Sequence, residues 1–379
     1  MNLSYVTNVV YPYVTGGAEK RIYEIGKRLV ERGHDVTLYS RHFWDGPEEI
    51  THEGMTLRAV APEAELYAEE RRSITEALDF AARALRPLRK RLSNDEHDVV
   101  VASVFPYFPV LSTKLASLRT DTPVVTTWHE VWGDYWEEYL GLLAPFGKIT
   151  ERVTARTPQH PTAISAITAD RLATIGPDRD DIEIVPNGIN VEQIRTAPRP
   201  DRGYDVCFAG RLIEHKNVDV LLEAFDRVAA DRDATLGVIG DGPERDRLEA
   251  QRKELTHSDR VEFLGFLDDY DEVLGHMRAA DVFASPSARE GFGITFLEAM
   301  AADCTVIAAD HPESAADEVI ADAGFCVEPT VNALAERLTA ALDGARPPTS
   351  PTERARSYDW DAIADQAETT YQRAIDGSW

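Results

Sequence analysis

Short apolar runs alternate along this chain with longer segments in which apolar residues recur every three or four positions. The runs have the length of buried strands, and the longer segments have the period of helices that bury one face. The alternation predicts parallel βαβ units, because successive parallel strands are joined by a crossover helix. In the first half the predicted strands are Leu3–Thr7, Val36–Ser40, Thr56–Val60, Asp98–Ala102, Pro123–Thr127, Thr162–Ile164 and Ile182–Val185.

The first predicted helix has clear signals at both ends. Gly16 and Gly17 interrupt the chain after the first strand, and Ala18–Glu31 then shows an apolar face. Gly33 follows at the position where a glycine commonly ends a helix.

The same pattern restarts after Thr196–Gly203, a stretch with two prolines and no apolar period that we interpret as a linker. The strands predicted beyond it are Asp205–Ala209, Thr235–Ile239, Val261–Leu264, Val282–Ser285 and Thr305–Ala308. The helices predicted there are Val218–Ala230, Glu244–Leu255, Tyr270–Arg278, Thr295–Ala302 and Asn332–Leu342.

A second Pro- and Arg-rich stretch, Arg346–Arg356, precedes a last predicted helix, Trp360–Ile375. The whole pattern predicts an α/β protein with two doubly wound, Rossmann-like domains, residues 1–197 and 204–345, facing a cleft. Ligands of such sheets bind at the carboxyl ends of the strands, so the segments that follow strands matter most.

Composition narrows the class of protein. The 379 residues suffice for two domains, and a net charge of −26 argues against a nucleic-acid-binding protein. No run of about 18 apolar residues predicts a membrane-spanning helix, and Met1–Tyr5 lacks the features of a signal peptide. The scattered cysteines Cys207, Cys304 and Cys326 fit a reducing, cytoplasmic setting.

The basic residues are unevenly divided, with 33 arginines and only 7 lysines. A lysine-poor, aspartate-rich surface is typical of proteins from a high-salt cytoplasm, although a GC-rich genome is an alternative explanation. At about 1 M salt the Debye length is only ~3 Å, which would screen the self-repulsion of so many carboxylates. We therefore expect a halophilic protein.

The loop Gly210–Asn217, GRLIEHKN, follows the first predicted strand of the second half and carries Arg211 and Lys216. A guanidinium forms paired hydrogen bonds and an ammonium acts as a point charge, a combination suited to a diphosphate. The alternative is two solvated surface cations.

The segment Ala288–Met300, AREGFGITFLEAM, follows a later strand and enters a helix. Gly291 and Gly293 would let a phosphate approach the backbone at the helix N-terminus. Glu298 lies about a turn into the helix, where its carboxylate could accept hydrogen bonds from the vicinal hydroxyls of a ribose. Glu290 precedes the helix. An ordinary helix entrance with charged flanks is the alternative.

Three segments offer weaker signals. Gly16 and Gly17 could admit an anion to a helix N-terminus, or could simply form a turn between a strand and a helix. His129, in TTWHE at 126–130, could bond a substrate hydroxyl, transfer a proton or serve a structural role at a strand end. Asp241, in GDGPE at 240–244, is either a turn residue or a polar group at the rim of the cleft.

Together these segments resemble glycosyltransferase family 4, the retaining nucleotide-sugar enzymes with the GT-B fold. The resemblance covers nearly the whole chain. In family order it comprises the Gly-Gly turn, TWHE, PNGIN at Pro186–Asn190, GRLIEHKN, GDGPE and the pair Glu290 and Glu298.

The resemblance implies a role for each matched residue. Arg211 and Lys216 would bind the donor diphosphate, Glu298 the ribose, and Glu290 the transferred sugar. His129 would contact that sugar, and helix 358–379 would pack back on the first domain. The implied catalytic residues are Glu290, His129, Arg211 and Lys216. The implied donor-binding residues are Gly16, Gly17, Arg211, Lys216, Gly291, Phe292, Gly293, Ile294 and Glu298.

The implied reaction moves a sugar from a nucleoside-diphosphate sugar to a glycan or a polyprenyl or other lipid-linked acceptor, with retention of configuration. It needs no metal and no other cofactor, and the acidic pair Asp268–Asp269 reads as part of a loop. Two alternatives remain at this point. One is a nucleotide-sugar epimerase or phosphorylase of the same fold, and the other is a nucleotide-sugar-binding protein without turnover.

Two further segments bear on the acceptor and on membrane contact. Trp132, Trp136, Tyr139 and Leu143 keep helical spacing, and would either pack on the sheet or form an apolar acceptor wall. Five cations, Arg83, Arg86, Arg89, Lys90 and Arg91, occupy nine residues, and would form either a solvated helix face or a contact with anionic lipid. The expected location is cytoplasmic, with peripheral contact at the inner face of the membrane as an option.

Overall fold

The computed structural model describes residues 1–14, 16–68 and 71–379. The chain forms two compact units. Unit 1 comprises Met1–Pro186 and Ile363–Trp379, and unit 2 comprises Asn187–Ala362.

Unit 1 alternates strands and helices as the sequence predicts. Its strands are β1 (Asn2–Val6), β2 (Asp35–His42), β3 (Glu49–His52), β4 (Met55–Pro62), β5 (Tyr67–Ala68), β6 (Arg71–Arg72), β7 (Val99–Ser103), β8 (Val124–Trp128), β9 (His160–Ala163) and β10 (Glu183–Ile184). Its helices are α1 (Gly17–Glu31), α2 (Ile74–Leu92), α3 (Phe108–Ser117), α4 (Tyr135–Leu140), α5 (Ala144–Arg156) and α6 (Ala166–Ala173).

The sheet of unit 1 has the strand order β10-β9-β8-β7-β1-β2-β4-β3. The strands pair in parallel except for β3, which runs antiparallel to β4. The chain moves outward from β1 in one direction and then continues from β7 in the other, so the topological switch point lies between β1 and β7. Right-handed crossovers accordingly place α1 on one face of the sheet and α2, α3 and α5 on the other.

Helix α1 illustrates why the local sequence folds as it does. Its N-cap residue, Gly16, is extended, and its apolar face buries Ile25 and Leu29. Gly33 adopts a φ of +85°, which lets the His34 amide donate to the Leu29 carbonyl over 3.0 Å. The predicted glycine stop is therefore confirmed.

Unit 2 repeats the architecture with a fully parallel sheet. Its strands are β11 (Val206–Ala209), β12 (Leu236–Ile239), β13 (Val261–Gly265), β14 (Val282–Ser285), β15 (Thr305–Ala309) and β16 (Phe325–Val327). Its helices are α7 (Val191–Thr196), α8 (Val218–Ala229), α9 (Arg245–Glu254), α10 (Tyr270–Ala279), α11 (Ile294–Ala301), α12 (Ala316–Ile320), α13 (Val331–Leu342) and α14 (Pro351–Arg356). The last helix, α15 (Trp360–Ile375), begins in unit 2 and continues in unit 1 from Ile363.

The strand order in unit 2 is β13-β12-β11-β14-β15-β16, so its switch point lies between β11 and β14. The core beneath it includes Phe208, Leu222, Phe225 and Leu338, all fully buried. Burying each such side chain stabilises the fold by roughly 1.5–3 kcal/mol before the loss of conformational entropy is counted.

The boundary between the units falls between Pro186 and Asn187, ahead of the linker expected at Thr196–Gly203. That stretch is packed within unit 2, because Arg278 donates to the Ala197 carbonyl and Gly275 lies directly against the Pro198 carbonyl. Because its prolines and polar residues give this stretch no apolar period, the sequence pattern does not predict these contacts.

The second Pro- and Arg-rich stretch, Arg346–Arg356, also packs against unit 2 and contains α14. Ser350 caps this helix by accepting from the Glu353 amide. Arg354 donates to the carbonyls of Glu318 and Val319 over 2.7 and 3.0 Å. The stretch is therefore an ordered part of unit 2 with a capped helix.

Candidate active site

Two loops meet at the switch point of unit 2, where the carboxyl ends of β11 and β14 lie side by side. Asn217, at the end of the β11 loop, adopts a left-handed φ of +50° and donates through Nδ2 to the Pro286 carbonyl over 2.9 Å. The Ala288 amide donates to the His215 carbonyl over 2.9 Å. These bonds join the two loops that the sequence analysis assigned to anion binding.

The side chains of Lys216 and Glu290 meet between these loops. The Lys216 ammonium contacts the Glu290 carboxylate, and the two side chains are only 16% and 11% exposed. A pair this shielded is weakly screened by salt. The fold thus brings together two predicted site residues that lie 74 positions apart.

The backbone of Glu290 is fixed from the other side. Its carbonyl accepts from the Ala315 amide over 2.9 Å, and its own amide donates to the Glu313 carbonyl over 3.3 Å. Residue 290 therefore forms a short parallel bridge with Ser314. These main-chain bonds fix the backbone of Glu290, and Lys216 contacts its carboxylate.

Arg211 lies on the β11 loop and has an exposed side chain. Within the described residues its guanidinium makes no hydrogen bond or ion pair. The group is therefore available to bind an anion, whereas Lys216 already faces a carboxylate.

The N-terminus of α11 has no side-chain cap, which agrees with the approach to its backbone expected from Gly291 and Gly293. Gly293 is its N-cap residue with a φ of +81°, and no side chain caps the helix. A Cβ at Gly293 would collide with the ring of Phe296. Phe292 is buried against Tyr358, with the two ring centroids 5.9 Å apart, and this contact fixes the turn that precedes α11. Amides at such an uncapped helix start suit a phosphate.

Glu298, on α11, has a partner that the sequence did not reveal. The Tyr270 hydroxyl donates to both of its carboxylate oxygens, over 2.7 and 2.8 Å. Burial, together with the charge of Glu298, raises the pKa of Tyr270 well above its usual range, so the phenol remains a donor. Glu298 itself is only 4% exposed, which gives this pair a fixed geometry.

The GDGPE segment supports the neighbouring loop. A Cβ on Gly240 or Gly242 would collide with the carbonyl of Gly210 or Leu212, respectively, so only glycine permits this approach. Asp241 accepts from the Gly242 amide over 2.7 Å and from Arg245 over 3.1 Å. These contacts are those of a turn residue.

The PNGIN segment also has a structural explanation. Gly188 leaves room for the Trp360 indole, and Asn190 caps α7 by accepting from the Gln193 amide over 2.9 Å. Ile189 exchanges backbone bonds with the Tyr358 carbonyl and the Trp360 amide. The segment thus ties the start of unit 2 to the start of α15.

In unit 1, His129 follows β8 directly, on the carboxyl side of the sheet. Burial, with a smaller effect from the positive charge of Arg21, lowers the pKa of His129 to about 3. The imidazole is therefore neutral near pH 7. A group with so low a pKa is a weak proton acceptor, which favours a hydrogen-bonding role over proton transfer.

A cavity of about 190 Å³ lies beside His129, near the switch point of unit 1. Glu19, Glu130 and Trp132 contribute to its lining, as do Phe105 and Tyr107. The lining of this cavity therefore combines carboxylates and an imidazole with aromatic rings.

Gly16 and Gly17 lie at the start of α1, which also contributes Glu19 to this cavity. A Cβ on Gly17 would meet no atom within 4 Å, so open space surrounds that backbone. Whether Gly16, Gly17 and His129 reach a donor sugar stays a prediction.

The aromatic segment after His129 is not one helical stripe. Trp132 precedes α4, Trp136 is buried, and Leu143 lies beyond α4 with 60% exposure. The rings of Trp132 and Trp136 lie 4.7 Å apart, and those of Trp132 and Tyr139 lie 4.8 Å apart. Trp136 therefore belongs to the core and Trp132 and Tyr139 pack against it partly buried, whereas Leu143 faces outward.

Sequence reasoning missed Tyr270 and Phe266 near the carboxyl edge of the unit 2 sheet. Phe266 follows β13 directly and is 73% exposed, which is unusual for a large apolar side chain. Its position after a strand was the available signal.

No helix in the described part of the chain is long and apolar enough to span a membrane.

Comparison with known proteins accounts for both units. Residues 15–193 match the family model for glycosyltransferase family 4, and residues 191–358 match that for glycosyl transferases group 1. The chain is 34% identical over 235 residues to a phosphatidyl-myo-inositol mannosyltransferase of Mycobacterium leprae, covering 57% of this chain and 60% of that protein. It is 28% identical to the Mycolicibacterium smegmatis phosphatidyl-myo-inositol mannosyltransferase, covering 96% of this chain and 92% of that protein.

Solved structures show the same fold at low identity. Sucrose-phosphate synthase from Thermosynechococcus elongatus superposes with a TM-score of 0.72 at 18% identity, covering 99% of both chains. Anabaena HepE in complex with UDP gives a TM-score of 0.71 at 19% identity, covering 98% of this chain and all of that one. The predicted fold and enzyme class are confirmed: the chain belongs to the family 4 type of glycosyltransferases with the GT-B fold.

Proposed function

We propose that this glycosyltransferase moves a sugar from a nucleoside-diphosphate sugar to a lipid-linked or cell-surface glycan acceptor, with retention of configuration. The observation that carries the proposal is the cluster at the switch point of unit 2. There Arg211, the Lys216–Glu290 pair and the open start of α11 share one end of the sheet. Relatives whose names specify a mannosyltransferase acting on phosphatidyl-myo-inositol support the lipid acceptor.

The cluster suits the charge that develops on the leaving group. As the bond from sugar to diphosphate breaks, negative charge grows on the phosphate oxygens. Arg211, Lys216 and the α11 amides would stabilise that charge, and such preorganised stabilisation is usually the largest catalytic contribution. Each charge-assisted hydrogen bond contributes about 1.5–3 kcal/mol.

Glu290 is poorly suited to form a covalent glycosyl intermediate. Its carboxylate is neutralised by Lys216, which lowers its nucleophilicity. We assign it instead to hydrogen bonds with the hydroxyls of the transferred sugar. The acceptor would then attack on the face that the diphosphate leaves, with the departing phosphate taking the acceptor proton.

Glu298 and Tyr270 would set the position of the donor ribose. The phenol holds both carboxylate oxygens in one orientation, and the ribose hydroxyls would donate to the same oxygens. In unit 1 we assign the cavity at His129 to the acceptor, where the neutral imidazole can hydrogen-bond a hydroxyl.

Stabilisation of the leaving diphosphate by these cations would require no metal. We also propose a cytoplasmic, high-salt setting, supported by the charge of −26 and the excess of arginine over lysine.

The test is a transfer assay in molar KCl with UDP-, GDP- and ADP-sugars, a polyprenyl phosphate and a phosphatidylinositol acceptor. We expect one donor to yield a product whose NMR coupling constants show the donor's own anomeric configuration, with and without EDTA. An inverted product would overturn retention, and loss of activity in EDTA would overturn metal independence. Conversion of the donor without any acceptor would favour an epimerase, and phosphate-dependent turnover a phosphorylase.

A further inference from the structure

Helix α5 exposes its bulky apolar side chains and buries its small and polar ones. Its buried residues are Ala144, Gly147, Thr150, Glu151, Thr154 and Ala155. On its outer face, Phe146, Ile149 and Val153 are 47%, 59% and 51% exposed. Leu142 and Leu143, just before the helix, are also exposed. We call these five apolar residues the outer stripe. A surface helix ordinarily has the opposite arrangement.

The inner face of α5 is fixed by Glu151. Its carboxylate accepts from the Tyr107 hydroxyl over 2.9 Å and from the Trp132 amide over 2.7 Å. The Trp136 indole donates to it over 3.2 Å. These bonds require Glu151 to face inward, so the helix cannot rotate to bury the outer stripe.

The stripe continues onto the neighbouring helix. The rings of Phe108 on α3 and Phe146 on α5 lie 6.5 Å apart. Leu115, on α3, and Leu118, just after it, are 51% and 48% exposed. Exposed apolar side chains that cluster in this way are typical of an interaction site.

Cations border this surface although the chain is strongly acidic. On α2, Arg86, Arg89 and Lys90 are exposed, and Arg89 donates to the Leu115 carbonyl over 3.4 Å. On α5, Arg152 and Arg156 are exposed. None of these five cations forms an ion pair with a carboxylate in the described part of the chain.

The carboxylates on the same helices are already neutralised or buried. Glu76, on α2, pairs with Arg41, and Asp79, also on α2, pairs with Arg41 and Arg83. Glu151 is buried in the contacts described above. The face of unit 1 that carries α2, α3 and α5 therefore combines exposed apolar side chains with positive charge, in a chain whose net charge is −26.

We propose that the outer stripe and its bordering cations dock unit 1 on an anionic lipid bilayer. Apolar side chains on a helix lying in the membrane plane enter the acyl region, while flanking arginines and lysines reach the lipid phosphates. The outer stripe and the cations that border it have this same arrangement. In molar salt the charges contribute less, since the Debye length falls to ~3 Å, and the apolar side chains supply most of the binding.

An apolar pocket beside the stripe connects this surface with the transfer reaction. Phe108, Trp136, Leu140 and Phe146 contribute to its lining. Phe105 and Tyr107 line both this pocket and the cavity at His129. We infer that the pocket takes the hydrocarbon chain of the acceptor while its polar head occupies the cavity. This part of the inference rests on the proposed function.

The test of docking is co-sedimentation of the full chain with vesicles of phosphatidylglycerol or phosphatidylcholine. The variant Phe146→Ser/Ile149→Ser removes part of the stripe, and Ile184→Ser/Phe266→Ser is the matched control, because its residues are also exposed. We expect the first variant to lose at least about tenfold in vesicle binding and the control to bind like the wild type. Both should melt like the wild type, since no core side chain changes.

The cationic border is tested in the same assay at lower salt. Arg86→Glu/Lys90→Glu should remove the preference for phosphatidylglycerol, whereas Arg195→Glu/Lys253→Glu, exposed cations of unit 2, should keep it. Equal binding by these two variants would overturn the role of the border.

Other outcomes would overturn docking as a whole. One is that the wild type binds neither vesicle, and another is that the two serine variants bind equally. A third is a dimer in light scattering that Phe146→Ser/Ile149→Ser dissociates. The dimer would mean that a second copy covers the stripe.

Transfer to a soluble acceptor, measured on the same preparations, keeps the two proposals apart. Vesicle binding without any transfer counts against the proposed function alone. Transfer without vesicle binding counts against the docking surface alone. Transfer to a short-chain acceptor that equals transfer to a long-chain acceptor would overturn the role of the apolar pocket.

Discussion

Replacing Lys216 by methionine should separate the structural and catalytic roles of the Lys216–Glu290 pair. The change keeps the length of the side chain and leaves the Glu290 carboxylate without its counter-charge. Removing one member of a fully buried pair costs about 3–5 kcal/mol. The remaining exposure of 16% and 11% moderates this, so we expect the free energy of unfolding to fall by about 2–3 kcal/mol.

The double variant Lys216→Met/Glu290→Gln distinguishes the two roles. It removes both charges, and replacing both members of such a pair is often close to neutral, so its stability should return to within about 1 kcal/mol of the wild type. Transfer should not return. Without the Lys216 ammonium the leaving diphosphate loses a stabilising charge, and both variants should be slower by at least ~10²-fold.

Urea unfolding followed by circular dichroism and turnover on the same preparations, both in molar KCl, measure the two effects. Lys253→Met, at an exposed lysine of α9, is the matched control and should resemble the wild type in both. A double variant as unstable as Lys216→Met would refute the structural role of the pair, and transfer at the wild-type rate by either variant would refute the catalytic role of Lys216.

Three further predictions follow from the site and from the charge. Tyr270→Phe removes both hydrogen bonds to Glu298 and should lower the free energy of unfolding by about 1–2 kcal/mol, whereas Tyr13→Phe, at an exposed tyrosine, should not; equal stability of the two would contradict the role of the phenol. His129, with its pKa lowered to about 3, should show no NMR titration above about pH 5. Below about pH 6.5 the unfolded chain binds a proton at His129 that the folded chain does not. The contribution of His129 to the free energy of unfolding should therefore be complete above that pH and decline towards pH 3. An NMR titration midpoint near 6.5 in the folded protein would contradict this prediction. Finally, dialysis from molar to about 10 mM KCl should lower the melting temperature of a chain with charge −26, and an unchanged value would count against a halophilic protein.

The sequence predicted most of the parallel strands and many of the helices because their apolar patterns are strong. It did not predict β16, Phe325–Val327, which pairs in parallel with β15. It missed the edge strand β3, Glu49–His52, whose short and largely polar sequence has no strand pattern. It predicted no helix at α14, because the prolines of the Arg346–Arg356 stretch mask a six-residue helix held by Arg354. The outward face of α5 could not be predicted either. Apolar spacing shows which residues share a face, but not whether that face is buried.

For the site, the sequence supplied residues but not their partners. Arg211, Lys216, Glu290 and Glu298 were identifiable because each lies in a glycine-containing segment after a strand. The contact between Lys216 and Glu290 depends on β11 and β14 being neighbours, which is a property of the sheet topology. The low pKa of His129 depends likewise on burial that no local pattern encodes.

The proposed function depends most on anion binding by the cluster at the switch point of unit 2. Isothermal titration with UDP and GDP in molar KCl tests it directly, using the wild type, Arg211→Ala, Lys216→Met and the surface control Arg195→Ala. We expect one nucleotide to bind the wild type and the control alike, and each of the other two variants to bind at least about tenfold more weakly. Unchanged affinity in both Arg211→Ala and Lys216→Met would contradict binding of the diphosphate by this cluster.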